Sequence, residues 1–267
     1  MNTAKTAPCQ AACPAGVDVP RYVRHIRDGQ FAQALSVVRE RIPFPLVCGH
    51  ACFHPCETKC GRRQFDAPLA IRMLKRVAAE EGMHQQVLPK PAAASGRKVA
   101  VVGSGPCGLT AGYYLALQGH GVTVFEALER SGGMLRFGIP AYRLSDEIVD
   151  ADINLIEQAG VQIRTGTRVA SAEALLAQGF DAVLIASGAW RSAKMDIPLE
   201  EGATVLDGLA FLKDVSKGAA PKLGERVVVV GGGNTAIDAA RVSRRLGAEV
   251  VQIYRRTQAE IPASAEE

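Results

Sequence analysis

Aromatic residues are scarce in this sequence, 5% with a single tryptophan, and no sign of charge dominates: 31 basic and 27 acidic side chains leave a net +4. So even a balance builds no extended basic face, and binding to nucleic acid or to an anionic membrane is not expected. No apolar run approaches the roughly 20 residues that cross a bilayer. The first eight residues, MNTAKTAP, hold no apolar stretch of the kind that leads a secreted chain, so a cytoplasmic location with reduced thiols is expected. Missing too is any Ser/His/Asp set or paired-carboxylate spacing, which leaves the sequence without a visible centre for hydrolysis. Cysteine is nearly absent after residue 60, where Cys107 alone remains of seven.

What is present fits a globular protein of about two domains or more: 267 residues, 48% apolar and 22% charged, with 27 glycines. Residues 1–82 read as a small helical module. Asp18 can cap a helix near Pro20, Gly29 separates two helices, and Tyr22, Val23, Ile26, then Phe31, Leu35 and Val38 recur at helical spacing. Residues 83–97, with Pro89, Pro91 and three alanines, have the composition of an exposed linker. From Lys98 the pattern becomes α/β. Strands are predicted at Val99–Val102, Val122–Phe125 and Ala182–Ile185, helices at Leu109–Gln118 and Ile148–Ala159, and together they predict a doubly wound parallel sheet. A second start at Arg226–Val230 leads into a helix to Leu246 and a strand at Val250–Tyr254.

Each start carries a glycine loop. Gly103-Ser104-Gly105-Pro106-Cys107-Gly108 is G-x-G-x-x-G between strand and helix, and Glu126 stands 21 residues after Gly105 at the end of the next strand. Gly103 makes the turn, Gly105 admits a pyrophosphate to the backbone, Gly108 allows close helix packing, and Glu126 can accept ribose hydroxyls. Cys107 is expected to be a small buried side chain without a redox role. The second loop, Gly231-Gly232-Gly233-Asn234-Thr235-Ala236, begins 128 residues after the first. Arg255 and Arg256 stand 22 residues after Gly233, where an NAD site carries an acid, and paired guanidiniums suit the 2′-phosphate of NADP.

Six cysteines crowd the helical module: Cys9 and Cys13, then Cys48, Cys52, Cys56 and Cys60 at four-residue intervals. Gly49, Pro55 and Gly61 argue against one continuous helix, so a loop wrapping an iron–sulfur or zinc centre is expected. His50 and His54 keep zinc open as an alternative.

With Ser131-Gly132-Gly133-Met134-Leu135-Arg136 and the strand-plus-glycine segment Asp181–Ala189, these motifs resemble a family of flavin enzymes: the glutamate synthase small subunit, the N-terminal half of dihydropyrimidine dehydrogenase, and the large subunit of ferredoxin-linked transhydrogenase. The resemblance implies FAD at the first loop, with Gly133 and Leu135 contributing, and NADPH at the second. It also implies at least one [4Fe–4S] cluster in a dicluster-type module, and a partner subunit that converts the substrate. Cys13, Cys52, Cys56 and Cys60 are the expected ligands, with Cys9 and Cys48 as further ones. Two-cluster relatives have two more cysteines before the position of Cys9, and some use a glutamine near Lys75, so the ligand sets differ here. The expected domains are 1–82 for the cluster, 98–195 for FAD and 196–267 for NAD(P). The resemblance implies further strands and a returning flavin segment after Glu267, so a truncated chain or half of a split subunit is expected. The competing reading is a non-enzymatic cluster-bearing or zinc-bearing docking module.

Overall fold

The computed structural model describes residues 6–85, 88–192, 204–264 and 266. Its contacts divide the chain into two compact units: Met1–Gly132 with Asp146–Ser187, and Gly133–Ser145 with Gly188–Glu267. The junction expected at 195/196 lies outside the described residues.

Prolines start the helices of the cysteine-bearing region. Pro8, Pro45 and Pro55 open α1 (Pro8–Ala12), α4 (Pro45–Ala51) and α5 (Pro55–Thr58), positions where the missing N–H costs nothing. Asp18 caps α2 (Val19–Arg27) by accepting from Arg21 N at 3.1 Å, and Gly29, at φ +71°, turns the chain into α3 (Phe31–Arg39). These helices and α6 (Ile71–Met83) bury Val19, Tyr22, Ala34, Val38, Ile71 and Ala78 around Cys56 and Cys60. The stretch expected as a loop at residues 48–60 is instead α4 and α5, joined through His54 in the left-handed region at φ 42°. The two prolines permit two short helices where they forbid one long one.

In the same unit, β1 (Lys98–Val102), β2 (Gly121–Phe125), β3 (Val161–Arg164) and β4 (Ala182–Ile185) form a parallel sheet in the order β3-β2-β1-β4. Register pairs Val99 with Val122 and Ala182, and Val124 with Ile163. Gly112 of α7 (Pro106–Leu117) lies close over Val122, Val124 and Val161, while Leu175 of α10 (Ala172–Leu176) packs with Ala100, Val102, Phe125 and Val183. Helices therefore cover both faces, as the alternation of strand and helix predicts. Strand β3 was not anticipated: at the sheet edge, four residues with Gln162 and Arg164 outermost lack a β-branched run. The region expected as a linker is pinned, since Ala92 N donates to Leu117 O and Ser95 N to Gly119 O, both at 2.9 Å.

The second unit carries α8 (Met134–Phe137), α11 (Gly208–Ser216), β5 (Arg226–Val230), α12 (Asn234–Arg245) and β6 (Glu249–Ile253). The two strands are parallel, Val228 pairing with Val251. Phe211 and Leu212 of α11 pack on Ala239 and Val242 of α12.

Candidate functional sites: two glycine loops and a thiol module

The sheet order reverses direction at β1, and open α/β sheets hold ligands at the carboxyl end of the strands where this happens. Gly103 lies there at φ +106°, and a Cβ on it would stand 2.4 Å from Ala186 O just beyond β4. A Cβ on Gly108 would meet Gly103 O at 2.0 Å, so these two glycines are demanded by the chain's own packing. Gly105 differs. Nothing lies within 4 Å of its would-be Cβ, and its φ of −70° suits any residue. The loop thus keeps an open face at the start of α7, whose first-turn N–H groups and dipole suit a phosphate, and the residues present fit a dinucleotide.

Glu126 is buried at the end of β2. Its Oε2 accepts from Ser104 N at 2.9 Å and Ser104 Oγ at 2.6 Å, and its Oε1 from Leu128 N at 2.9 Å. Of about four lone-pair positions on a carboxylate, one on Oε1 is left for a further donor such as a ribose hydroxyl. Gly132 N also donates to Ser104 O at 3.0 Å, which ties the glycine pair to the first loop. Gly133, with φ 54°, opens α8, where Leu135 is half-buried; both belong to the second unit. Pro106 begins α7 as expected, but Cys107 is exposed, not buried, because it faces outward in the first turn.

All seven cysteines are free thiols. Burial pushes Cys48 and Cys56 up to about 11, and each feels Cys52 and Cys13, with Lys75 pulling the other way. Cys9, raised by burial, feels Cys60. Cys56 and Cys60 share one core, with Cys9 and Cys13 packed against it. Tyr22 shares that core: burial raises its hydroxyl well above the usual range, Cys56, Cys9, Cys13 and Cys52 add to the rise, and it donates to Ile71 O at 3.1 Å. Among the described residues no three His, Cys, Asp or Glu side chains are gathered closely enough for a single metal ion. The histidines are engaged elsewhere, His50 Nδ1 with Leu46 O at 2.9 Å and His54 Nδ1 with Cys52 O at 3.1 Å. Six free thiols within one small helical module are the donor chemistry of an iron–sulfur cluster, which the residues present fit.

Asp152 escaped the sequence reading. It is fully buried on α9 (Asp146–Gln158) and reaches the start of α4, accepting from Val47 N at 2.9 Å and Leu46 N at 3.4 Å. Burial pushes its carboxyl up to about 7, while those two N–H groups and Arg39 pull it down. The one sequence signal was an acid inside the apolar stripe Val149, Ile153, Ile156.

At the second loop, Gly233 also has nothing within 4 Å of a would-be Cβ, and Ala236 sits 3.1 Å from that of Gly231. Gly232 is required by packing, because a Cβ would stand 2.6 Å from the Tyr254 ring. Ala263 N donates to Gly232 O, and Ser264 N to Asn234 Oδ1, both at 3.1 Å. Thr235 follows in the first turn of α12. Arg255 and Arg256, just beyond β6, are exposed, and among the described residues neither is hydrogen-bonded or ion-paired. Asp238, buried on α12, instead accepts from Arg143 Nη1 at 2.7 Å and Tyr142 Oη at 3.2 Å.

Two strand–glycine–helix loops of dinucleotide type, together with a thiol-rich helical module, define a nucleotide-dependent oxidoreductase class. The chain belongs to the pyridine nucleotide-disulphide oxidoreductase family, whose model matches residues 97–267. Residues 2–87 match a second family model, dihydropyrimidine dehydrogenase domain II, 4Fe-4S cluster. Similar curated proteins include NADPH-Fe(3+) oxidoreductase subunit beta of Geobacter sulfurreducens, 43% identical over 97% of this chain and 40% of that protein. NADP(+)-dependent formate dehydrogenase subunit beta of Moorella thermoacetica is 42% identical over 98% of this chain and 41% of its own length. The NAD-dependent dihydropyrimidine dehydrogenase subunit PreT of Escherichia coli is 34% identical over 98% and 65%. The chain thus spans about 40% of the first two relatives. Among solved structures, FprA from Mycobacterium tuberculosis in complex with NADPH is similar in fold, with TM-score 0.53 at 23% identity over 62% of this chain and 45% of that one. No helix among the described residues is long and apolar enough to cross a membrane.

Proposed function

We propose that this chain is the cofactor-bearing part of an electron-transfer subunit that passes electrons between NADPH, FAD, a [4Fe–4S] cluster and a partner subunit that converts the substrate. The observation that carries this reading is the presence of six free thiols, Cys9, Cys13, Cys48, Cys52, Cys56 and Cys60, in the same compact unit as a glycine loop with an open phosphate face. FAD, when bound, exchanges a hydride with a nicotinamide and single electrons with an iron–sulfur centre. The chain's own part is to bind and orient. Gly105 and the first turn of α7 receive the pyrophosphate, and Glu126 takes a ribose hydroxyl. Gly231, Gly233, Asn234, Thr235 and Ala236 receive the nicotinamide dinucleotide, with Arg255 and Arg256 on its 2′-phosphate. Cys13, Cys52, Cys56 and Cys60 supply thiolates to the cluster, with Cys9 and Cys48 as further ones. The beta-subunit relatives support a role inside a larger complex.

Anaerobic purification followed by iron, sulfide and visible-spectrum analysis tests the reading. Flavin bands with a broad iron–sulfur shoulder are expected, and Cys52→Ser and Cys56→Ser should lower the iron content. A colourless protein containing zinc, or unchanged iron in both variants, would refute it in favour of a docking module.

A further inference from the structure

One turn of the thiol module is strained. His54, between Cys52 and Cys56, has φ 42°, and among the described residues it is the only non-glycine with a positive φ. Such a backbone is costly for an L residue and persists where its surroundings over-determine it. The helix that follows does not ask for it. A residue at the N-cap is ordinarily extended, and a following proline, here Pro55 at the start of α5, pushes the same way. The turn instead folds residue 54 back onto Cys52. Its N–H donates to Cys52 Sγ at 3.3 Å, and its imidazole Nδ1 lies 3.1 Å from Cys52 O; a carbonyl only accepts, so Nδ1 carries the proton. Two more side chains close the loop. Glu57 Oε2 lies 3.8 Å from His54 Nε2, Glu57 Oε1 accepts from Arg72 N at 2.8 Å, and Arg72 Nη1 reaches Cys52 O at 3.5 Å. A backbone N–H on sulfur counts most when the sulfur is anionic, because charge-assisted hydrogen bonds are the stronger ones. Hydrogen bonds to the sulfurs also help set the potential of an iron–sulfur cluster, and its reduced form, richer by one negative charge, gains more from them.

Resting on the cluster reading, we propose that His54 is a positioning residue whose left-handed turn keeps its N–H on Cys52 Sγ while the chain continues into the helix bearing Cys56. The bond holds Cys52 as an iron ligand and raises the reduction potential of the cluster it joins.

The test compares His54→Gly, His54→Ala and His54→Val, because glycine enters the left-handed region freely, alanine less readily and a β-branched residue hardly at all. Iron and sulfide content and a redox titration followed by low-temperature spin resonance are read on the iron-loaded protein. The Gly variant should keep the iron and the parent's midpoint, while Ala and then Val lose iron or move the midpoint to more negative potential. In the metal-free protein, amide exchange at residue 54, followed by nuclear magnetic resonance, should be several-fold slower in the parent than in Cys52→Ala, which removes the acceptor. If the Val variant does not fold, the Gly and Ala variants and the exchange measurement decide. Equal losses in Gly and Ala would assign the role to the imidazole and overturn the inference. So would Ala and Val variants with full iron and the parent's midpoint, or exchange unchanged by Cys52→Ala. Absence of iron from the parent itself refutes the cluster reading beneath it, a result separable from the exchange comparison, which reads the turn without metal.

Discussion

At the scale of the residue, two glycines of one motif answer to different demands. Gly108 is held by a carbonyl 2.0 Å from any added Cβ, whereas Gly105 faces open space with an ordinary φ. Gly108→Ala should therefore destabilise the fold by about 1–3 kcal/mol or more, as overpacking does. Gly105→Ala should cost under about 1 kcal/mol of stability yet weaken flavin binding. Thermal unfolding of both variants beside flavin titration checks the contrast, and equal behaviour would remove the assigned roles. Arg255 and Arg256 have no bonded partner among the described residues to lose, so Arg255→Ala/Arg256→Ala should leave stability within about 0.5 kcal/mol. Charge-assisted bonds contribute about 1.5–3 kcal/mol each, so the double variant should lose at least tenfold in preference for NADPH over NADH. Flavin reduction rates with both nucleotides measure it.

The element on which the thiol group depends is α4, a seven-residue helix whose N-terminus carries no side-chain cap of its own. Asp152 supplies the cap from α9, 105 residues away from Val47 in sequence. Asp152→Ala would leave two buried N–H groups without acceptors, at about 1–3 kcal/mol each when unmet. The raised pKa adds a pH dependence. Because the folded state holds the Asp152 proton up to about pH 7 while the unfolded chain releases it near 4, this group's contribution is present at low pH and is lost as pH rises through that window. Arg39 and the thiol of Cys48 face the same carboxyl. Between pH 5 and 8 the parent's unfolding midpoint should fall more steeply than that of Asp152→Asn, which cannot ionise; parallel curves would refute this.

For the whole molecule, the thiol module and the four-stranded sheet behave as one unit. Leu35, Leu46 and Ala79 share a core with Ile148 and Ala151 of α9, and Tyr114 Oη donates to Arg39 O at 3.2 Å. Ligands that bind only the folded state stabilise it, and metal loading does so through folding itself. Stripping iron with a chelator should therefore lower both the melting temperature and the flavin retention of the protein, measured by calorimetry and by released flavin fluorescence. Full flavin retention after loss of iron would mean that the two halves fold independently.

The local patterns were legible because they rest on short-range physics. Asp18 caps its helix, Gly29 turns the chain, β1 and β2 alternate with α7, and the glycine loops sit between strand and helix, all within a few residues of the signals that encode them. The tertiary structure alone decided which groups meet. Four-residue spacing does not say that Cys56 and Cys60 share a core with Tyr22 while Cys9 and Cys13 pack against it, since that depends on how the helices meet. Lys75 reads as an ordinary helical lysine until α6 lies against α4, and Asp152 as a surface acid until α9 delivers it to a helix end 105 residues distant in sequence. Burial and partnership of charged groups are properties of packing, which sums contacts that are remote along the chain, whereas caps, turns and strand–helix alternation are set by neighbours.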